Sequence, residues 1–249
     1  MLFTELPFLE RFGAAAAAGF RAVEYVGPYD LPADQIASLL HQHGLQQALF
    51  NLPAGRWAEG ERGIACLPGR ENEFQEGVGK AIAYAKLLGN PIINCLAGIK
   101  PEVIDTDLAF ETLVLNLRFA AREFTAAGLT LIVEPINFFD IPGFFLNTSV
   151  QALAAIDAAD LTIKLQYDIY HMQRMEGELA ANLKRLMPRI GHIQIAGNPG
   201  RTEPDRGEID YGFLFPLIDS LGYRGWIGAE YKPVAGTVPG LAWLKKWST

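Results

Sequence analysis

The feature that most constrains the fold of this chain is a regular alternation of short apolar segments with longer amphipathic ones. Seven β-rich segments recur, at Ala22–Val26, Gln47–Phe50, Pro91–Leu96, Leu129–Glu134, Leu161–Asp168, Gly191–Ala196 and Trp226–Glu230. Segments with helical spacing alternate with them, at Leu6–Ala18, Pro32–His43, Glu71–Leu88, Thr106–Ala127, Ser149–Ala158, Leu179–Met187 and Tyr211–Ser220. This alternation predicts parallel β-α-β units. No linker rich in Pro, Gly or Ser divides the chain, so we expect one domain over residues 1–249.

The length and the strand pattern predict an α/β fold, a TIM (β/α)8 barrel, but the strand count is one short. Apart from Met1, only Leu2 and Phe3 precede Thr4, and the first helical segment follows almost at once. A barrel of this class begins with a strand of about five or six residues. We therefore expect a barrel that lacks its first β-strand, either because the start is truncated or because the barrel is open there. The two strands next to the missing one would then have unpaired edges.

Composition and charge argue against several classes of function. The chain has 21 basic and 28 acidic residues, a net charge of −7 with no basic run, which is unfavourable for binding nucleic acid. No stretch approaches the roughly 18 consecutive apolar residues of a transmembrane helix. The N-terminus has no basic segment ahead of an apolar run, as a secretory signal would. The chain has two cysteines, Cys66 and Cys95, which are too few for a disulfide scaffold, so we expect a cytoplasmic protein with reduced thiols.

Polar residues end four of the predicted strands. They are Glu134, Asp168, Gln194 and Glu230, and each follows an apolar run. In parallel barrels the active site lies at the C-terminal ends of the strands, so these side chains should converge on one rim. A buried carboxylate needs a partner, a proton or a metal. Three carboxylates and one amide are oxygen ligands that suit Mg²⁺ or Mn²⁺.

Each of these residues also has a simpler interpretation. A single strand-end Glu is more often a cap or a surface ion pair, and Asp168 is alternatively the cap of the segment after it. His171 on its own would be a hydrogen-bonded loop histidine, and His192 is better explained as a structural histidine. It is the four strand-end residues together that favour a site.

The loops near these strand ends carry cations and amides that suit an anionic substrate. Arg201 and Lys232 follow the Gln194 and Glu230 strands, and Asn51 follows an earlier strand. The first strand ends with a further polar residue, Glu24. Arg56, Arg206 and Lys232 are equally consistent with solvated loop charges.

Several long segments resemble the hydroxypyruvate isomerase family, within the xylose-isomerase-like barrel group. They are NLPAGRWAEGERGIACLPGRE, EPINFFDIPGF, QYDIYHMQRMEGEL, GHIQIAGNPGR and WIGAEYKP. The resemblance extends from about Leu6 to Trp243. Members of this family usually have one more strand before the segment that resembles MLFTELPF, and here it is missing.

The resemblance implies a barrel that isomerises an α-hydroxy carbonyl through an enediol, with a divalent metal and without a nucleotide or flavin. It places the catalytic acid and base at Glu134 and Glu230, and the metal ligands at these two with Asp168 and Gln194. Gln194 takes the place of the histidine of related epimerases. His171 and Arg201 match positions that contact substrate, and we add Lys232, Glu24 and Asn51 as candidate substrate-binding residues.

The implied reaction interconverts hydroxypyruvate and tartronate semialdehyde, so the expected partner is a small oxo acid. The alternatives are an isomerase of a four-carbon 2-oxo acid, 2-oxo-tetronate, and a truncated, non-catalytic paralogue that binds a sugar acid. A ketose 3-epimerase is disfavoured by Gln194, and a metal-dependent endonuclease by the lack of a basic face. A homo-oligomer is compatible with the sequence.

Overall fold

Each of the seven predicted β-rich segments overlaps a strand of one parallel sheet. The computed structural model describes residues 1–247. The strands are β1 (Ala22–Tyr25), β2 (Gln46–Asn51), β3 (Ile92–Cys95), β4 (Thr130–Val133), β5 (Lys164–Asp168), β6 (Ile190–Ile195) and β7 (Ile227–Ala229). They pair in chain order, β1 to β7, and every pair is parallel. The sheet therefore has the strand order of a TIM barrel, as predicted.

Helices cover the outside of the sheet. They are α1 (Glu10–Ala17), α2 (Ala33–His43), α3 (Glu71–Leu88), α4 (Thr106–Ala127), α5 (Ser149–Ala159), α6 (Ile169–Met175), α7 (Leu179–Leu186), α8 (Tyr211–Ser220) and α9 (Leu244–Trp247). The side chain of Asp105 caps α4 by accepting from two backbone amides, and the helix ends at Gly128, whose φ of 74° is left-handed. No helix among residues 1–247 combines the length and the apolar character needed to cross a membrane.

Two parts of the helix prediction are wrong. Residues 6–9, the predicted start of α1, form turns instead, because Pro7 disfavours a helical backbone at Leu6 and the Glu10 amide donates to the Pro7 carbonyl at 3.0 Å. The segment after β5 is the helix α6 and not a loop, because the Asp168 side chain caps it. His171 is therefore a helix residue. The short helix α9 was also not predicted.

The sheet curls until its first and sixth strands face each other. Among residues 1–247 no strand pairing joins β7 to β1, so the expected open seam lies between them. Glu24 on β1 nevertheless reaches His192 and Gln194 on β6. Its carboxylate passes over Gly228 of β7, where any Cβ would collide with it. The barrel is therefore nearly closed, with a carboxylate across the seam.

Candidate active site

Strand register brings the predicted strand-end residues to one rim. Asp168 of β5 is paired directly with Gln194 of β6, and Asn51 of β2 is paired with Asn94 of β3. Glu134 follows β4 and Glu230 follows β7. Parallel strands end at the same edge, so these side chains share one end of the barrel.

Asp168 has two roles because its two oxygens face different ways. Oδ1 accepts from the backbone amides of Tyr170 at 2.8 Å and His171 at 3.3 Å, which caps α6. Oδ2 is fully buried and has no hydrogen-bond partner among residues 1–247. It lies 3.6 Å from His171 Nε2 and 3.5 Å from Arg201 Nη2. Asp168 is thus a cap and also presents an unpartnered oxygen to the site.

Glu134 is buried and is held by an asparagine that the sequence analysis missed. Asn94 Nδ2 donates to Glu134 Oε2 at 3.1 Å and to Asn51 Oδ1 at 3.2 Å. Asn51, a predicted substrate ligand, thus reaches Glu134 through Asn94. A polar residue near the end of the apolar segment IINC is the sequence signal for Asn94.

Arg201 lies between two carboxylates. Its Nη2 is 3.0 Å from Glu230 Oε2 as well as 3.5 Å from Asp168 Oδ2. Its Nε donates to the Glu230 carbonyl at 3.3 Å, and its guanidinium lies 5.4 Å from the centre of the Tyr170 ring. Lys232 is exposed at the rim, and its backbone amide donates to the Arg201 carbonyl at 2.7 Å. The structure therefore brings Arg201, but not the Lys232 ammonium, into the carboxylate cluster.

Gln194 is oriented by two neighbours, one of which is Glu24. Its Nε2 donates to Glu24 Oε1 at 2.8 Å, and its Oε1 accepts from Gln166 Nε2 at 2.6 Å. Glu24 Oε2 lies 2.7 Å from Nε2 of the buried His192. Burial would raise the pKa of Glu24, but His192 and the hydrogen bond from Gln194 lower it. Glu24, predicted to bind substrate, thus contacts Gln194 and His192.

Negative charge is in excess at this end of the barrel. Burial, followed by repulsion from Glu230 and Asp168, raises the pKa of Glu134 well above its usual value. Burial also raises the pKa of Asp168, although Arg201 opposes the shift. The pKa of His171 is lowered to about 3, by burial first and then by Arg201. Several carboxylates thus face the Arg201 guanidinium and a neutral imidazole, and the Met1 ammonium acts on Glu230 and Glu24 as a second positive charge. The carboxylates outnumber these two cations, an arrangement that favours a further cation.

The residues present fit a divalent metal. Glu134, Asp168 and His171 each offer a ligand atom, and these atoms all lie within 4.8 Å of one another. The unpartnered Asp168 Oδ2 is an oxygen of the kind that a hard cation binds. The buried carboxylates of Glu134 and Asp168 can therefore contribute to a metal site, with His171 beside them.

Comparison with known proteins agrees with this geometry. The family model described as "Xylose isomerase-like TIM barrel" matches residues 12–247. The chain belongs to this family. The predicted fold class and the resemblance to this group are thereby confirmed.

Similar curated proteins carry two isomerase names. "Hydroxypyruvate isomerase" of Escherichia coli (strain K12) is 51% identical over 245 residues, which cover 98% of this chain and 95% of that protein. "2-oxo-tetronate isomerase" of Cupriavidus necator is 50% identical over 250 residues, which cover 99% of this chain and 95% of that protein. Both relatives are matched almost from end to end.

Solved structures show the same architecture. The crystal structure of a protein named "AP endonuclease, family 2" from Brucella melitensis superposes with a TM-score of 0.96 at 43% identity, covering 99% of this chain and 95% of that one. A 3-keto-D-glucoside 4-epimerase from E. coli superposes with a TM-score of 0.82 at 20% identity, covering 98% and 96%, which shows a common fold alone.

Proposed function

We propose that this chain is an isomerase that interconverts hydroxypyruvate and tartronate semialdehyde. The observation that carries the proposal is the 51% identity, over 98% of the chain, to a protein named hydroxypyruvate isomerase. The paired glutamates Glu134 and Glu230 at one end of the barrel support it, because this aldose–ketose isomerisation requires a proton to leave one carbon and another to arrive at its neighbour.

The two glutamates divide the proton transfers. One carboxylate removes a proton from the hydroxymethyl carbon of hydroxypyruvate, and the electron pair of that C–H bond forms the enediol double bond. The other glutamate delivers a proton to the former carbonyl carbon, while a proton moves between the two oxygens to leave an aldehyde. In the reverse direction the two residues exchange roles. Asn94 holds Glu134 and Arg201 holds Glu230, so both acid–base groups are positioned before substrate binds.

Four side chains are proposed to hold a divalent ion, Mg²⁺ or Mn²⁺. They are Glu134, Asp168, Gln194 and Glu230. When bound, such an ion supplies Lewis-acid polarisation of the carbonyl and stabilises negative charge on the enediol oxygens. Support comes from the unpartnered oxygen of Asp168 and from the orientation of the Gln194 amide, which Glu24 and Gln166 fix. We propose no nucleotide or flavin.

The substrate carboxylate is proposed to bind on the cationic side of the site. Arg201 is partly buried beside Glu230, and its planar guanidinium can bind a carboxylate through two hydrogen bonds. Lys232 at the rim supplies further positive charge, and His171 contacts a substrate oxygen. We place the enzyme in the cytoplasm, consistent with its two buried free thiols.

A second candidate function is the isomerisation of 2-oxo-tetronate. The relative with that name is 50% identical over 99% of the chain. The two substrates are 2-oxo acids that differ by one carbon, so the same two glutamates can serve both. The length of the pocket beyond the reacting carbons would then decide between them.

A coupled assay on both acids, with and without a chelator, tests these proposals. We expect faster turnover of hydroxypyruvate, its loss with the chelator and its recovery with Mn²⁺. Glu134→Gln and Glu230→Gln should each lower kcat by about 10²–10⁴-fold while remaining folded. Glu203→Gln is the matched control, because Glu203 is a buried glutamate that hydrogen-bonds the amide of Val234 instead.

Three results would contradict the proposals. Faster turnover of 2-oxo-tetronate would favour the second candidate, and turnover near the wild-type rate in either glutamate variant would refute the proton-transfer roles. Absence of both activities, together with cleavage of an abasic-site oligonucleotide, would replace the proposal with the endonuclease activity for which the Brucella protein is named.

A further inference from the structure

The orientation of the Asn137 side-chain amide is determined by its neighbour Asp140. The Asp140 backbone amide, which can only donate, lies 2.9 Å from Asn137 Oδ1. Asp140 Oδ2, a carboxylate oxygen that can only accept, lies 3.2 Å from Asn137 Nδ2. Turning the amide over would set donor against donor and acceptor against acceptor. The nitrogen of Asn137 therefore points in one direction only.

Asp140 is itself anchored as an anion. Arg174 donates to Asp140 Oδ1 at 2.5 Å, and the Tyr170 hydroxyl donates to Oδ2 at 2.9 Å. Arg174 also donates to the Tyr170 hydroxyl at 2.9 Å, so all three side chains are hydrogen-bonded to one another. Burial would raise the pKa of Asp140, but the hydrogen bonds from Asn137 and Tyr170 and the charge of Arg174 lower it. The acceptor that orients Asn137 is thus permanently charged near neutral pH.

The second hydrogen of this amide determines which nitrogen of His171 carries a proton. Asn137 Nδ2 lies 2.6 Å from His171 Nδ1, and both residues are buried. Since the amide nitrogen donates, Nδ1 must accept. An imidazole whose Nδ1 accepts a hydrogen bond carries its one proton on Nε2. That N–H points into the site, 3.6 Å from Asp168 Oδ2 and 3.9 Å from Glu134 Oε1.

We propose that Asn137, oriented by Asp140, is a positioning residue that keeps His171 as an Nε2–H hydrogen-bond donor. In this tautomer Nε2 has no lone pair for a metal, so His171 is not a ligand although it lies beside Glu134 and Asp168. Its N–H instead donates to an oxygen of the substrate, and this last step rests on the proposed function. The tautomer and the ligand set do not depend on it.

Nitrogen NMR tests the tautomer directly. We would record two-bond ¹H–¹⁵N correlations of the chain labelled at its four histidines, assigning His171 by its loss in His171→Gln. We expect an unprotonated Nδ1 and a protonated Nε2 in the wild type. Asn137→Asp should place the proton on Nδ1, because a carboxylate there can only accept. His192, which contacts Glu24 through Nε2, is the internal control and should not change.

Asn137→Ala keeps the test decisive if Asn137→Asp does not fold. Without the amide donor the His171 nitrogens should shift toward values typical of mixed tautomers. A wild-type Nδ1 that carries the proton, or an Asn137 variant that leaves the His171 signals unchanged, would overturn the proposal.

Metal affinity tests the second half of the inference. In calorimetric titrations with Mn²⁺, His171→Gln should bind within about threefold of wild type, while Asp168→Asn should lose about 10–100-fold or more. An equal loss in both variants would make His171 a ligand and overturn the inference. A wild type that binds no Mn²⁺ would remove the proposed cofactor, and the tautomer would still be decided by NMR. Neither measurement uses turnover, so failure of the proposed reaction is separately visible.

Discussion

Replacing Arg201 with Met should destabilise the metal-free protein strongly at neutral pH. The Arg201 guanidinium lies 3.0 Å from Glu230 Oε2 and 3.5 Å from Asp168 Oδ2. At an effective dielectric constant of about 20, these contacts correspond to gross attractions of about 5.5 and 4.7 kcal/mol. The energy needed to bury the guanidinium cancels much of that sum. Asp168 is fully buried whereas Glu230 is 26% exposed, so it is chiefly the Asp168 charge that is left uncompensated. We expect a loss of about 3 kcal/mol in the free energy of unfolding, the lower end of the cost of breaking a buried pair.

The loss should depend on pH and on metal. The pKa values of Glu134 and Asp168 are raised, chiefly by burial, so their ionised forms are the destabilised ones. As the pH falls through these raised values, the carboxylates take up protons and the repulsion disappears. The loss in the free energy of unfolding caused by Arg201→Met should therefore be largest at neutral pH and smaller in mild acid. Saturating Mn²⁺ should also reduce it, because a divalent cation replaces the missing charge.

Urea denaturation in the presence of a chelator measures this effect, and an exposed ion pair supplies the control. Arg189 lies 2.6 Å from Asp157 Oδ1, but the two side chains are 30% and 51% exposed. Arg189→Met should therefore cost at most about 1 kcal/mol, with little dependence on metal. If the two variants lose the same free energy, or if Arg201→Met loses as much in mild acid as at neutral pH, the buried-charge reasoning is refuted.

Three further predictions concern single contacts. Asn94→Ala removes a donor to Glu134 and should lower kcat about tenfold or more, with a loss of about 1–2 kcal/mol in urea denaturation; an unchanged kcat would show that the contact does not position the carboxylate. Gly63→Ala should lower the unfolding temperature, because at φ 106° its Cβ would collide with the Leu96 carbonyl, and an unchanged temperature would contradict that close approach. Asp105→Ala should cost about 1 kcal/mol and speed hydrogen exchange in the first turn of α4; unchanged exchange would mean that the cap contributes nothing.

The order of the elements was predictable because periodicity is a local property. The bounds of α3, α4 and α8 agree with the sequence prediction, since Asp105 and Asp210 cap the starts of α4 and α8 and glycines end α3 and α4. The start of α1 was predicted four residues too early, because the apolar residues in the turns over residues 6–9 continue the helical spacing. The helix α6 is seven residues long and depends on one side-chain cap, so it gives no helical periodicity to detect.

The site was predictable as a set of positions and less so as a set of contacts. Strand ends identify Glu134, Asp168 and Glu230, because parallel strands expose the same end. The contact between Glu24 and Gln194 depends on how far the sheet curls, which no local pattern specifies. Asn137 was missed because an asparagine after a strand is ordinary loop chemistry, and its importance comes from Asp140 three residues later.

The two oxygens of Asp168 restrict how this enzyme can evolve. Asparagine at this position would keep a cap oxygen for α6 and lose the charge, while glutamate would keep the charge and move the oxygen away from the helix amides. Neither replacement therefore keeps both the helix cap and the charge. Gln194, which is paired with Asp168 on β6, does not cap a helix. We therefore expect substitutions that change substrate and metal preference to occur first at Gln194.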